Sequence, residues 1–298
     1  KDLNNEMAES LVFNDGVFGL FLGNTETDGF FDTSIYTNEK YPYYVATNNL
    51  NNNAGEKDII GVDVSFYDGD IDWHKIKDSV DFTLLRICDF KDYHNDDDLK
   101  FKEILDGKFN KNLEVCNLLN IPYGFSVYSR ATTVNEAKTE ANLIVNYLGA
   151  KGIKNSDYPL FISIDSCNNK SINTMLDNRD ATVVDIADAF CEIIEEAGYT
   201  VGISMNENDR SRFVGTKGGA EVLDNYKFLY TRYASDKSFS FRENVNEYGN
   251  VYDYQVTDSP DGTYAVRFTD EAEVPGMDSE SSVILIKKYW NIKLYVLN

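Results

Sequence analysis

The 298-residue chain predicts an α/β fold built on a parallel sheet, and three observations carry that expectation. From residue 59 onward, apolar runs of strand length alternate with amphipathic helix patterns, the order that places helices between parallel strands. Eight strand patterns follow one another, which at this length points to a barrel, with a doubly wound sheet as the alternative. The first, Ile59-Ile60-Gly61-Val62, delivers Asp63 to its C-terminal end, where barrel enzymes keep their chemistry.

Each element follows from its own pattern. A helix opens at Asp70 or Asp72 and puts Trp73, Ile76 and Val80 on one face. Phe82-Thr83-Leu84-Leu85-Arg86-Ile87 is the second strand, and its helix runs from about Phe109 to Leu119. Residues 123–128 make the third strand. The next helix opens at Thr133, with Glu136 completing a capping box and Ala137, Ala141, Ile144, Val145 and Leu148 as its apolar face. Leu160-Phe161-Ile162-Ser163-Ile164-Asp165 is the fourth strand. Its helix opens near Asp180, presents Val183, Ile186, Ala187, Phe190 and Ile194, and ends at Gly198. A fifth strand at 200–204 precedes a weak helix, and three more strands are expected at 227–233, 251–256 and 283–287. The pattern is therefore five strand-helix pairs followed by three strands. Residues 1–58 differ: a strand-like run at 17–22 and a polar Asn-rich linker at 48–53 suggest a short β-rich N-terminal appendage, with the barrel domain over 59–298.

Composition narrows the function classes. A formal net charge of -22 repels nucleic-acid phosphate, so no nucleic-acid partner is expected. No apolar run approaches the roughly 18 residues of a membrane span, so no membrane insertion is expected. Two histidines and four cysteines without a CxxC spacing argue against a zinc site, and no cofactor or metal is expected. The cysteines read as buried free thiols. The acidic run Asp96-Asp97-Asp98 lacks the Gly and distal Glu of a calcium loop and reads as solvated.

Several segments resemble glycoside hydrolase family 25, the muramidases. Gly61-Val62-Asp63-Val64-Ser65-Phe66-Tyr67-Asp68-Gly69-Asp70-Ile71-Asp72-Trp73 resembles the family's opening strand, with Asp68 where the family has Gln. Phe82–Arg86 is similar to its second strand, Asp106-Gly107-Lys108-Phe109-Asn110-Lys111-Asn112 to a helix entry, and Tyr123–Ser129 to its third strand. Val274-Pro275-Gly276-Met277 is similar to the loop before its last strand. The resemblance covers roughly residues 59–290 and implies a TIM-like barrel, modified as five strand-helix pairs followed by three strands. The departures fall on acidic positions: Ser163 stands at the family's fourth-strand Asp and Asp165 at its Glu. Ser282 stands at a last-strand Asp, with Asp278 and Glu280 nearby in another register. Ser126 replaces a Tyr, and Tyr252-Asp253-Tyr254 stands for a seventh-strand Trp-Gln-Tyr.

The resemblance implies a secreted or cell-wall-associated enzyme acting on peptidoglycan glycan strands. It would cleave the β-1,4 bond between N-acetylmuramic acid and N-acetylglucosamine. Glycoside cleavage needs one carboxyl that gives a proton and a second that stabilises the developing cation. Asp165 and Asp63 are the expected pair, Asp165 as acid and Asp63 assisting. Tyr67, Tyr128, Tyr252 and Tyr254 fall at expected strand ends, where rings stack on sugar faces. The alternatives are a non-catalytic glycan-binding barrel, favoured by Ser126, Ser163 and Ser282, and a structural or interaction module docking through residues 1–58.

Overall fold

A computed structural model describes residues 11–14, 17–20, 59–167, 169–232, 240–241, 252–253, 259–260 and 262–286. Eight strands close into a barrel: β1 Ile59–Val64, β2 Phe82–Asp89, β3 Tyr123–Tyr128, β4 Leu160–Ser163, β5 Val201–Asn206, β6 Lys227–Thr231, β7 Thr263–Ala272 and β8 Ser281–Ile286. From β1 to β7 the neighbours are parallel, and β8 closes the ring antiparallel to both β7 and β1. Interleaved helices are α1 Trp73–Ser79, α2 Phe109–Leu119, α3 Val134–Ala150, α4 Lys170–Asn178, α5 Thr182–Glu196, α6 Glu207–Val214 and α7 Gly219–Asn225, with a single turn at Phe101–Ile104. Ile59–Lys287 is one compact unit, and an antiparallel hairpin, Leu11–Asn14 with Val17–Leu20, belongs to a second.

One expected strand is corrected. The seventh barrel strand is Thr263–Ala272, not 251–256. Tyr252–Asp253 instead pairs with Ser240–Phe241 in a separate two-stranded sheet. The alternating run Tyr264-Ala265-Val266 carries the strand signal, but the charged residues after it, from Arg267 to Glu271, masked it.

The helices form for the expected reasons. Thr133 caps α3: its hydroxyl accepts from the Glu136 N–H at 3.2 Å, and the Glu136 carboxylate accepts from the Thr133 N–H at 3.1 Å. Asp180 accepts from the Thr182 N–H ahead of α5, whose buried stripe includes Val183, Ile186, Ala187, Phe190 and Ile194.

Strand periodicity builds the barrel interior in layers. Phe82, Leu84, Phe161, Leu229, Ala265, Ile284 and Ile286 form the apolar plug. Two glycines make room for its largest rings. A Cβ on Gly61 would overlap the Phe82 ring, and one on Gly202 would overlap Phe161 and the Lys227 carbonyl. Bulky side chains from neighbouring strands thus fill the space that the glycines leave.

Candidate active site

Two residues beyond Gly61, Leu84, Gly124, Phe161, Gly202, Leu229 and Ala265, toward the strand ends that carry catalytic loops, the side chains change character. Asp63 lies above Gly61, Arg86 above Leu84, Ser126 above Gly124, Ser163 above Phe161, Ser204 above Gly202, Thr231 above Leu229 and Arg267 above Ala265; Ser282 precedes Ile284 on the antiparallel strand. This ring is polar throughout, and Ser126, Ser163, Ser204 and Arg267 are buried.

Asp63 is paired with Arg267 through Oδ2, and its Oδ1 is buried without a hydrogen-bond partner among the described residues. Burial pushes the Asp63 carboxyl above its ordinary range; the Arg267 charge and hydrogen bond oppose this, and the nearby Asp68 adds to it. The Arg267 guanidinium also donates to the Thr231 hydroxyl at 3.2 Å. Sequence reading missed Arg267 because it sits on the misassigned seventh strand. The available signal was a charged residue within an otherwise apolar alternating run.

The loop after β1 is held from three sides. Ser65 caps a 3-10 turn, Phe66–Asp68, and Asp68 accepts from the Ser65 N–H at 2.7 Å and the Ser65 hydroxyl at 3.1 Å. Its other oxygen accepts from the Ser281 hydroxyl at 2.9 Å, so Asp68 clasps the first strand's loop to the start of the last strand. Arg86 donates twice to Asp106, at 3.0 and 2.8 Å, and the same Asp106 oxygen accepts from the Phe66 N–H. The Arg86 guanidinium lies 5.3 Å from the Phe66 ring centre and 4.9 Å from that of Tyr67. This stack holds Tyr67 outward, 72% exposed, at the mouth.

A cavity of about 200 Å³ opens there, and its wall includes Asp63, Tyr67, Asp68, Arg86, Ser126, Tyr128, Arg267, Asp270, Glu280 and Ser282. Three expected site residues therefore meet: Asp63, Tyr67 and Tyr128. Asp165 does not line this cavity; it lies just past β4, half-buried, and accepts from the Cys167 N–H at 2.9 Å in a turn. Tyr252 lies on the separate two-stranded sheet, and Tyr254 lies outside the described residues. Asp270 and Ser281, absent from the sequence reading, join the site because β7 and β8 bring them to the mouth.

The loop carrying Asp165 has its own anchor. Asp209 on α6 is fully buried and accepts from the Ser166 N–H at 3.0 Å, the Ser166 hydroxyl at 2.6 Å, the Asn206 amide at 3.0 Å and Arg212 at 2.5 Å. All four cysteines are free; Cys88, Cys116 and Cys191 are buried and Cys167 is exposed. Among the described residues no cluster of potential metal ligands is found, and no helix is long and apolar enough to cross a membrane.

No protein-family model matches the chain, and no curated protein matches it significantly. Solved structures do. The modular autolysin LytC from Streptococcus pneumoniae, in complex with a synthetic peptidoglycan ligand, is 18% identical, with a TM-score of 0.54 over 77% of this chain and 47% of that one. The Clostridium perfringens spore cortex lytic enzyme SleM is 16% identical, TM-score 0.56, over 77% of this chain and 67% of that one. GHIP, a glycosyl hydrolase 25 of Streptococcus pneumoniae, is 14% identical, TM-score 0.54, over 77% of this chain and 87% of that one. The chain thus spans about half the length of LytC. What it shares with these proteins is the fold: a closed eight-stranded α/β barrel with interleaved helices, TIM-like as in the family-25 enzymes.

Proposed function

We propose that the barrel mouth is a glycan site and that the chain is a peptidoglycan-directed, muramidase-like hydrolase that works outside the cell or at the cell wall. The observation that carries this is Asp63: a carboxylate on the wall of a polar cavity, with one oxygen held by Arg267 and the other unpartnered. Tyr67 and Tyr128 on the same wall give a sugar ring apolar faces and hydroxyls to meet. The repeated likeness to lytic enzymes and a glycosyl hydrolase 25 is consistent with such an enzyme.

In this reading Asp63 meets the sugar and stabilises the charge that develops in the transition state, directly or by orienting the substrate's own N-acetyl group. Asp165, on the loop anchored by Asp209, delivers the proton to the leaving oxygen. Residues 1–58 are proposed as a short appendage to the barrel.

One observation favours a second reading, binding without cleavage. Asp165 is engaged in a turn hydrogen bond away from the cavity wall, and hydroxyls occupy positions 126, 163 and 282. Without Asp165 at the wall to give up a proton, the site would hold a glycan and leave it intact. The deciding experiment is release of reducing ends from purified, polymer-stripped peptidoglycan by the wild type, Asp63→Asn and Asp165→Asn. Release that is lost in both variants supports the hydrolase. Pull-down of the glycan with no release at acidic or neutral pH supports the binding barrel. Neither release nor pull-down defeats both.

A further inference from the structure

We propose that the mouth has a second sugar position outside the cavity, and that Phe66 is the specificity-determining residue that stacks on that sugar. The inference rests on the glycan-site reading and deepens it: the ligand is a strand of linked sugars rather than a single one. The cavity, about 200 Å³, is smaller than the roughly 300–1,000 Å³ of most small-molecule sites. It has room for one sugar ring, so a glycan seated there continues over the rim. Tyr67 lines the cavity, and the Phe66 ring lies beside it, off the cavity wall, with ring centres 3.9 Å apart. Among the described residues Phe66, Tyr67 and Leu118 are the large hydrophobic side chains left exposed, so two of the three are neighbours at this mouth. Phe66 is 45% exposed, and packing of the barrel does not account for it.

The turn that presents the two rings is tied down on every side. Ser65 caps it, and Asp68 joins it to Ser281 on β8. The Phe66 N–H donates to Asp106 at 2.9 Å, and Lys108 at the entry of α2 donates to the Gly69 carbonyl just past the turn. Arg86 on β2, itself bound to Asp106, supports both rings. Aromatic rings fixed in place yet left exposed are pre-organised, so a ligand that lands on them orders little. A flat ring matches the apolar face of a sugar. The rings continue the cavity wall outward through Tyr67, and this continuity makes the next sugar of the same strand their occupant. The simpler role for Phe66 is a cover that keeps water from the Arg86–Asp106 pair. Phe66→Leu separates the two roles, because leucine keeps an apolar cover and removes the aromatic face.

The test is NMR titration of the whole chain with three probes: N-acetylmuramic acid, N-acetylglucosamine and the peptide-free tetrasaccharide in which they alternate. The chain carries Asp165→Asn, which removes the proposed acid and leaves the tetrasaccharide uncut. The tetrasaccharide should bind at least about tenfold tighter than either single sugar. In the same background Phe66→Leu should shrink that gain by about threefold or more while single-sugar affinity holds. Phe66→Trp, which keeps a flat aromatic face, should preserve the gain. If Phe66→Leu leaves the gain intact, the second sugar does not rest on Phe66 and the proposal falls while the glycan site stands. If it weakens single sugars and tetrasaccharide alike, Phe66 only supports the cavity, and the proposal falls. A tetrasaccharide no tighter than a single sugar would remove the second position altogether. If no probe binds, the glycan-site reading falls and this proposal with it.

Discussion

Asp63 at the mouth and Asp209 beneath the loop after β4 both meet an arginine, yet they are bonded in different ways. At Asp209 both oxygens are occupied, by four donors from Ser166, Asn206 and Arg212. At Asp63 one oxygen is held and the other is not. A fully satisfied buried carboxylate ties elements together; here α6 is tied to the loop carrying Asp165. In the proposed function, the half-satisfied Asp63 keeps an acceptor for the glycan. On the proposed reading, support and function separate within one barrel mouth.

Asparagine distinguishes the two positions. At 209 it must turn an amide donor toward donors that need an acceptor, so Asp209→Asn should cost about 3 kcal/mol, near the upper range for losing a hydrogen bond to a charged group. Urea unfolding measures this, and a change within error would mean the anchor is not structural. A smaller loss, about 1–3 kcal/mol, is expected for Gly61→Val, which forces a side chain into the Phe82 ring. Because Gly61 sits two residues before Asp63, this variant should also weaken glycan binding, whereas a thermal melt unchanged from wild type would refute the close approach. At 63 an asparagine can keep its oxygen on Arg267 and turn its amide into the cavity. Asp63→Asn should therefore cost only about 1 kcal/mol while glycan binding or reducing-end release falls at least tenfold. A large loss of stability with unchanged glycan affinity would reverse the comparison.

The smallest effect concerns a third buried acid, Glu140 on α3, which accepts from the Ser129 hydroxyl at 2.6 Å and the Arg130 N–H at 3.0 Å and pairs with His94 at 2.8 Å. Burial pulls His94 down, but the hydrogen bond and charge of Glu140 outweigh it and hold the imidazole above its ordinary value. Burial likewise raises Glu140, against the hydrogen bonds of His94, Ser129 and the Arg130 N–H. Both shifts leave the folded protein holding more protons than the unfolded chain. The His94 contribution is complete below the unfolded value of about 6.5 and is lost as pH rises through the higher folded value. Urea midpoints should therefore fall from pH 6 toward pH 9 more steeply in the wild type than in His94→Gln. Parallel curves would show that the pair carries no such linkage.

Much of the barrel was legible in the chain because its signals are local. The apolar runs of β1 to β6, the Thr133 and Glu136 cap, and the stripe of α5 each lie within a window of a few residues. Asp63 was legible too, since a carboxylate ending an apolar strand contradicts burial unless something uses it. Periodicity alone could not decide between barrel and open sheet. Closure depends on β8 returning antiparallel between β7 and β1, a pairing of segments more than 200 residues apart. The same pairing brings Ser281 to Asp68 and, through β7, Arg267 to Asp63.

By itself the sequence determined most of the elements, the polar character of the strand ends and the acid at the first of them, because backbone periodicity and capping are short-range physics. Which acids share a cavity was decided only by tertiary structure. Asp63, Asp270 and Glu280 converge because strand register in a closed ring sets which side chains stand level. Asp165, one strand end among the same eight, is turned to its own loop by a hydrogen bond from Cys167. Register and loop bonding are long-range outcomes of packing, and a carboxylate's chemistry depends on them as much as on its identity.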